Sequence, residues 1–243
     1  MSQATIVGFE ALLRWRHPIA GIVPPSVFIP MAEADGIMSE LGEWVLARAT
    51  QQASEWPKHF KLAVNVSSTE FLREGLSDRI ADTLDQSGFD ADRLDLEITE
   101  SVLLERTTEN LDILNTLNVL GVQISLDDFG TRYSSLDHLK NFPFDTIKID
   151  RGFIRDLEND EKCQTIVRFL IDLAHGLGML ITAEGVETDG QALWLEKTGC
   201  DQMQGYLFGA PMPAGALGDF LRQPSRRSPR DKKLKHPNWA ANQ

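Results

Sequence analysis

Short β-strand candidates alternate with helical patterns along most of the chain, and this order constrains the fold more than any other feature. Strands joined by helices run parallel, because each helix carries the chain back to the starting end of the sheet. Seven candidates fall one short of a (β/α)₈ barrel, and 243 residues suffice for one barrel domain. The candidates are Val7–Arg14, Lys61–Val66, Arg93–Thr99, Val122–Asp128, Thr146–Asp150, Leu180–Val186 and Met203–Phe208.

The last twenty residues differ in charge from the rest of the chain. Six basic residues lie after Pro224 against one acid, Asp231, so this segment carries +5 while the whole chain carries −12. It has no apolar period. We therefore expect one folded domain over residues 1–223 and a basic, disordered tail over 224–243. The acidic body argues against binding to nucleic acid polymers, whose partners are usually basic.

Membrane and redox signals are weak in this sequence. No run of 18 apolar residues and no signal-peptide pattern occurs, which predicts no membrane insertion by this segment. Cys163 and Cys200 belong to no C-x-x-C pair and have no histidine at metal-ligand spacing. The simplest interpretation is a reduced, cytoplasmic protein.

Polar residues stand at the carboxyl ends of nearly all the strand candidates. In a parallel barrel these ends meet on one face, where active sites lie. The chain therefore predicts one polar face that gathers residues from every strand. Those residues are Glu10, Arg14, Asn65, Glu97, Asp127, Asp128, Lys148, Asp150, Glu184, Glu187 and Gln204.

So many carboxylates on one face require positive charge. Several acids within a few ångströms cannot all stay ionised without cations. Oxygen ligands without histidine or cysteine suit Mg²⁺ or Mn²⁺ better than zinc. The Asp127-Asp128 pair could serve two neighbouring ions. The alternative is a set of structural salt bridges to Lys148 and Arg14, but two bases cannot neutralise this number of acids.

Seven motifs in order, from about residue 5 to 213, resemble those of EAL domains, the bacterial cyclic di-GMP phosphodiesterases. The first is Glu10-Ala11-Leu12-Leu13-Arg14-Trp15, and a match to its first three letters alone would be weak evidence. The others are Asn65-Val66-Ser67, Leu96-Glu97-Ile98-Thr99-Glu100, Asp127-Asp128-Phe129-Gly130-Thr131, Lys148-Ile149-Asp150-Arg151, Ala183-Glu184-Gly185-Val186-Glu187 and Gln204-Gly205-Tyr206-Leu207-Phe208.

The resemblance implies a TIM-like barrel whose first strand runs antiparallel to the rest, and metal-dependent hydrolysis of cyclic di-GMP to linear pGpG. It implies two ions, Mg²⁺ or Mn²⁺. The implied metal ligands are Glu10, Asn65, Glu97, Asp127 and Asp128, with Glu184 and Gln204 nearby.

The resemblance also implies roles for other residues. Lys148 and Glu184 would be catalytic, with Lys148 acting on the attacking water. Arg14 would hold a substrate phosphate, and Asp150 and Gln204 would contact substrate or metal water. Glu100 and Glu187 would brace the loop after Asp128.

Three positions depart from the family pattern. Arg132 stands where a glycine is usual, and Gly209-Ala210 replaces a usual Ser-Arg. The chain also reaches the Glu10 strand almost at once, so we expect an EAL-type barrel that lacks the usual first strand. Open sheet edges would then favour a homodimer or larger species.

Two other functions compete with hydrolysis. One is a catalytically weak or inactive EAL domain that binds cyclic di-GMP as a signalling module, which the short start favours. The other is an unrelated Mg²⁺ barrel enzyme that abstracts a proton with Lys148. The presence of Glu10, Asn65, Glu97, Asp127 and Lys148 favours the hydrolase.

Overall fold

The computed structural model describes residues 5–104, 108–130 and 136–222. Helices surround a seven-stranded sheet, and a separate two-stranded hairpin follows the first strand. The strands are β1 Gly8–Ala11, β2 Trp15–His17, β3 Gly21–Val23, β4 Lys61–Val66, β5 Leu94–Thr99, β6 Gln123–Phe129, β7 Thr146–Ile149, β8 Leu180–Ala183 and β9 Gln202–Met203. The helices are α1 Pro25–Ala34, α2 Met38–Ala53, α3 Ser68–Phe71, α4 Leu76–Ser87, α5 Ser101–Leu104, α6 Thr108–Val119, α7 Leu136–Asn141, α8 Arg151–Arg155, α9 Glu161–Gly176, α10 Asp189–Thr198 and α11 Leu217–Arg222.

The large sheet is parallel throughout and has the order β1-β4-β5-β6-β7-β8-β9. No backbone pairing joins β1 to β9 within the described part of the chain. The sheet nevertheless curls far enough for side chains from its two ends to meet, since Gln204 Nε2 lies 2.5 Å from Glu10 Oε2. This curled, parallel α/β sheet confirms the predicted barrel-like class and the predicted number of strands.

Strand alternation separates a dry layer from a polar interior. On β5, Leu94, Leu96 and Ile98 are at most 1% exposed and pack in the main apolar core beneath the helices. Asp95 and Glu97 alternate with them and therefore face the inside of the curled sheet. The core fixes the register of the strands, because a slip by one residue would turn the acids into the apolar layer beneath the helices and the leucines into the polar interior.

Several predicted element bounds need correction. The first strand ends at Ala11, and the hairpin β2–β3, which we had not predicted, follows it. The last strand covers only Gln202–Met203, so Gln204 lies just beyond it. The apolar spacing of Ile166, Leu170, Leu173 and Leu177 predicts the buried face of a helix in this part of the chain. Helix α9 instead buries Val167, Leu170, Ile171 and Ala174, and Ile166 and Leu177 are 40% and 38% exposed.

Glycines end two of the helices. Gly88 and Gly199 cap the carboxyl ends of α4 and α10 with φ of 64° and 93°, a left-handed conformation that side-chain-bearing residues adopt at a cost. Among the helices in the described ranges, none combines the length and the apolar character needed to cross a bilayer. The predicted tail, 224–243, lies outside the described residues.

Candidate active site

Glu10, at the end of β1, joins the two ends of the curled sheet. Its Oε1 accepts a hydrogen bond from Asn65 Nδ2 on the neighbouring β4 at 2.6 Å. Its Oε2 accepts one from Gln204 Nε2, which follows the last strand, at 2.5 Å. Three of the predicted site residues therefore meet across the β1–β9 gap, although 194 positions separate Gln204 from Glu10 in the chain.

Lys148 lies at the centre of the acidic group. Its ammonium is 2.5 Å from Glu97 Oε1, 2.6 Å from Glu184 Oε1 and 3.6 Å from Asp127 Oδ1. Lys148 and Glu97 are each 3% exposed. Glu97, Asp127 and Lys148 lie on strands β5, β6 and β7, and Glu184 directly follows β8, so the parallel topology brings the four side chains together.

A break in the strand register explains how two consecutive aspartates can serve one site. Successive side chains of a regular strand point to opposite faces. Between Leu126 and Phe129 the pairing of β6 with β7 shifts, and Asp128 adopts a φ of 55°. As a result, carboxylate oxygens of Asp127, Asp128 and Glu184 all lie within 4.8 Å of one another.

Burial and mutual repulsion perturb these groups. Burial raises the pKa of Glu97 well above its usual range, and Glu10 and Asp127 add to the rise while Lys148 opposes it. Burial also raises the pKa of Glu184 to about 7, with Lys148 again opposing and Asp127 reinforcing. Burial alone would lower the pKa of Lys148, but Glu97, Glu184 and Asp127 hold it well above its usual range.

The residues present fit divalent cations. Five carboxylates face one ammonium, and Glu97 Oε2 and Asp127 Oδ1 are buried without a hydrogen-bond donor among the described residues. A buried acceptor without a donor is costly unless a cation or water satisfies it. Carboxylate and amide oxygens are the ligands that Mg²⁺ and Mn²⁺ prefer. Glu10, Asn65, Glu97, Asp127, Asp128 and Glu184 are the candidate ligands.

Arg14 and Asp150 stand apart from this cluster of contacts. Arg14 is exposed between β1 and β2, and its Nη1 donates to the carbonyl of Leu13 at 2.8 Å. Asp150 caps the start of α8, where its Oδ1 accepts a hydrogen bond from the Gly152 amide at 2.8 Å. The predicted roles of both residues towards substrate stay predictions.

The bracing roles of Glu100 and Glu187 concern a loop that the structure covers only in part. Residues 131–135, including Arg132, lie outside the described residues. Glu100 is 4% exposed, and neither of its carboxylate oxygens has a donor among the described residues. Glu187 is exposed, and its backbone amide donates to Gln191 Oε1 at 2.8 Å. Both bracing roles stay predictions.

Two polar features near the site escaped the sequence analysis. Beneath the acidic cluster, Ser125 Oγ donates to the carboxylate of Asp95 at 2.8 Å, in a layer that the strand alternation of β5 and β6 could have indicated. Behind Glu184, Gln191 is 4% exposed and occupies the N3 position of a capping box whose N-cap residue is Thr188. The spacing Thr-x-x-Gln ahead of an apolar helix is the signal that could have found it.

Fold and site together define a class of protein: a curled parallel α/β barrel with an acidic, lysine-centred site at the carboxyl ends of its strands. The sequence profile of the EAL domain matches residues 1–211, and the chain belongs to the EAL domain family. The family assignment made from the seven motifs is thus confirmed.

Solved and curated relatives agree with this assignment. A structure of the MucR phosphodiesterase in complex with c-di-GMP superposes with a TM-score of 0.84 at 42% identity, covering 88% of each chain. In sequence, the chain is 43% identical to the bifunctional diguanylate cyclase/cyclic di-GMP phosphodiesterase MucR of Pseudomonas aeruginosa over 87% of this chain and 32% of MucR. It is 40% identical to the cyclic di-GMP phosphodiesterase NbdA of the same organism over 88% of this chain and 28% of NbdA. The chain thus spans about a third or less of the length of these curated relatives.

Proposed function

We propose that this chain hydrolyses cyclic di-GMP to linear pGpG in a divalent-metal-dependent reaction. The convergence of Glu97, Asp127 and Glu184 on the buried ammonium of Lys148 is the observation that carries the proposal. The names of the relatives MucR and NbdA support the choice of substrate. So does the c-di-GMP bound in the structure of the MucR phosphodiesterase.

Two ions, Mg²⁺ or Mn²⁺, are proposed for the acidic cluster. Glu10, Asn65, Glu97 and Asp127 would hold one, and Asp127, Asp128 and Glu184 the other. When bound, such ions make a water molecule more acidic and offset the negative charge of the scissile phosphate. The amide donors of Asn65 and Gln204 already orient both oxygens of Glu10, which keeps this carboxylate in place for the first ion.

The protein groups would handle the proton and the phosphate. Glu184, whose Oε1 lies 2.6 Å from the Lys148 ammonium, would act with Lys148 on the attacking water. Lys148 keeps a positive charge beside that position because three carboxylates surround its ammonium. Arg14, which is exposed between β1 and β2, would bind a substrate phosphate through the several N–H donors of its guanidinium group.

We further propose that the chain forms a homodimer and works in the cytoplasm. The outer edges of β1 and β9 pair with no other strand within the described residues, and unpaired edges favour association, which supports a homodimer. Cys163 and Cys200 are both free thiols, as expected in the reducing cytoplasm. A bacterial signalling role follows from the proposed substrate.

Turnover by the parent chain in Mg²⁺, read as the appearance of pGpG, is the direct test. Lys148→Ala should lower kcat by about a hundredfold or more while changing KM far less, because the ammonium acts on the reacting groups and not on distant parts of the substrate. Lys61→Ala is the matched control. That lysine, on the same face of β4 as Asn65, donates to Gln123 Oε1 at 2.5 Å and touches none of the site carboxylates.

The outcomes separate hydrolysis from the signalling module, since membership of the EAL family already excludes the unrelated Mg²⁺ barrel enzyme. Tight binding of cyclic di-GMP without any pGpG would favour the signalling module and overturn the hydrolase. Neither binding nor turnover would overturn cyclic di-GMP as the substrate. A pure rise in KM in Lys148→Ala would move Lys148 from catalysis to binding.

A further inference from the structure

The segment Glu184–Thr188 ties three parts of the site together. The Glu184 amide donates to the carbonyl of Ile149, the last residue of β7, at 3.1 Å. The Val186 amide donates to the carbonyl of Gln204 at 2.9 Å. Gly185 has a φ of 67° and packs so closely on Arg151 that an added Cβ would lie 2.5 Å from the Arg151 Cβ. The position of Glu184 therefore depends on how this segment is held.

Gln191 holds the far end of the segment from inside helix α10. Its Oε1 accepts hydrogen bonds from the amides of Glu187 at 2.8 Å and Thr188 at 3.0 Å. Its Nε2 donates to the carbonyl of Ile154, the buried residue of α8, at 3.0 Å. The side chain is 4% exposed, so water does not compete for these bonds.

The side-chain amide of Gln191 has both the acceptor and the donor that this position requires. An acceptor is needed towards Glu187 and Thr188, and a donor is needed towards Ile154. Among side chains of this length, only glutamine carries both. A glutamate would keep the two accepted bonds and the helix cap, but it would set a carboxylate against the Ile154 carbonyl.

We propose that Gln191 is a positioning residue of the active site: by fastening the Glu184–Thr188 segment to α8, it sets the carboxylate of Glu184 against Lys148. The proposal rests on the proposed phosphodiesterase activity for its kinetic consequence. Its structural consequence, the order of the segment, is independent of that activity. Gln191 touches neither substrate nor ion and acts only through the backbone it holds.

The test compares Gln191→Ala with a matched glutamine variant. Gln164, on α9, also donates its Nε2 to a backbone carbonyl, that of Leu157 at 2.9 Å, and among the described residues this hydrogen bond does not involve the Glu184–Thr188 segment. Both substitutions remove a buried or half-buried amide from a helix next to α8. Gln191→Glu is the third variant, since it retains the cap and removes only the bond to α8.

The kinetic outcome should divide the variants. Gln191→Ala should lower kcat about tenfold or more with less than about twofold change in KM for cyclic di-GMP, because small displacements of a catalytic group are felt mainly in turnover. Gln191→Glu should also lower kcat, because its carboxylate cannot donate to the Ile154 carbonyl. Gln164→Ala should turn over at the parent rate. A parent-like kcat in Gln191→Ala, or an equal loss in Gln164→Ala, would overturn the proposal.

A readout without substrate keeps the test valid even if the chain proves inactive. Amide hydrogen exchange at Glu187 and Thr188 should rise in Gln191→Ala by more than the change in global stability, and should stay at the parent level in Gln164→Ala. The Mn²⁺ concentration for half-saturation should rise in Gln191→Ala alone. Unchanged exchange and unchanged Mn²⁺ binding would sink the positioning role, whereas an inactive parent with both changes would sink only the proposed reaction.

Discussion

Asp128 shows how a single residue can be strained and still suit its place. Among the residues that the structure describes, Asp128 alone carries a side chain at positive φ, 55°. Aspartate and asparagine tolerate this left-handed conformation better than other side-chain-bearing residues. The conformation turns its carboxylate towards Asp127 and Glu184, which a regular strand would not do.

Two substitutions at Asp128 should separate backbone conformation from charge. Asp128→Asn should keep the left-handed conformation and remove one of three crowded carboxylates, so the cation-free protein should be at least as stable as the parent. Asp128→Ala should be less stable than Asp128→Asn by about 1 kcal/mol, since alanine lacks the local tolerance. Urea unfolding in EDTA measures both. If the alanine variant equals or exceeds the asparagine variant, the φ at this position carries no strain.

The candidate site was predictable from the sequence wherever it depends on strand ends. Asn65, Glu97 and Lys148 sit at inward positions of regular parallel strands, and alternation places them on one face. The joint use of Asp127 and Asp128 was proposed, but the bulge that makes it possible has no sequence signal apart from the following Gly130. The role of Gln191 depends on a contact with α8, 37 residues away, which local patterns do not encode.

At the scale of elements, a buried acid organises the packing of α2 against α3. Glu70 of α3 is 6% exposed, and its carboxylate lies against the backbone of Gly42 in α2. An added Cβ at Gly42 would lie 2.2 Å from Glu70 Oε1. Glu43, the next residue of α2, forms salt bridges through its Oε1 with Arg73 Nη1 and Arg79 Nε, each at 3.1 Å. Charged groups therefore lie beside the buried Glu70 carboxylate.

Gly42→Ala should destabilise the protein, contrary to the usual effect of alanine in a helix. Alanine is ordinarily favoured over glycine within helices by about 0.5–1 kcal/mol, but here its methyl group would displace the Glu70 carboxylate. Gly176→Ala, at the end of α9, is the matched control because open space surrounds it. Thermal unfolding should show a lower Tm for Gly42→Ala and an unchanged or higher Tm for Gly176→Ala. Adding Glu70→Ala should recover part of the loss, and no recovery would mean that the clash lies elsewhere.

Glu70 should also give the protein a specific dependence on pH. Burial raises its pKa from 4.5 to about 7, against the opposing effects of the Ser67 backbone and Arg79; Glu43 adds to the rise and Arg73 opposes it. A raised pKa means that between pH 4.5 and about 7 the folded state holds a proton which the unfolded state has released. The stability that Glu70 contributes is therefore fully present below pH 4.5 and is lost as the pH rises through about 7.

The difference between the parent and Glu70→Gln isolates this contribution from that of other acids. Between pH 5 and pH 8 the unfolding free energy of the parent should fall relative to the variant, because glutamine cannot lose a proton. Denaturant unfolding at several pH values measures it. Glu161→Gln, an exposed acid at the start of α9 and outside this cluster, is the control and should follow the parent's slope. A constant offset between parent and Glu70→Gln would contradict the assignment.

Element types were easier to predict than element ends. The parallel strands and the intervening helices follow from apolar runs and helix-ending glycines. The end of β1 at Ala11 and the hairpin after it follow instead from Gly21 and from ring contacts such as that between Trp15 and Phe28. The apolar spacing in α9 places its buried face one position away from the observed one, because apolar residues such as Ile166 and Phe169 also occur on its exposed side.

For the molecule as a whole, divalent ions should stabilise the fold markedly. The uncompensated carboxylates repel one another in the cation-free state, and a ligand that binds only the folded state adds about 2.7 kcal/mol at a hundredfold excess over its Kd. Mn²⁺ or Mg²⁺ should therefore raise Tm, and EDTA should reverse the rise. Glu97→Gln should lose most of it, while Glu161→Gln, an acid outside the site, should keep it. An equal response in the two variants would place the ions elsewhere.

The hydrogen bond between Gln204 and Glu10 means that the chemistry and the closure of the barrel share the same atoms. An ion held at Glu10 and at Glu97 or Asp127 would act as a removable cross-link between distant parts of the chain, much as a disulfide does. Release of the ion would loosen Glu10 and with it the hydrogen bond that joins the two ends of the sheet, and parting those ends would scatter the ligands. Occupancy of the site and the mechanical integrity of the domain are therefore one equilibrium, which a pulling experiment across residues 10 and 204 would sense as a metal-dependent rupture force.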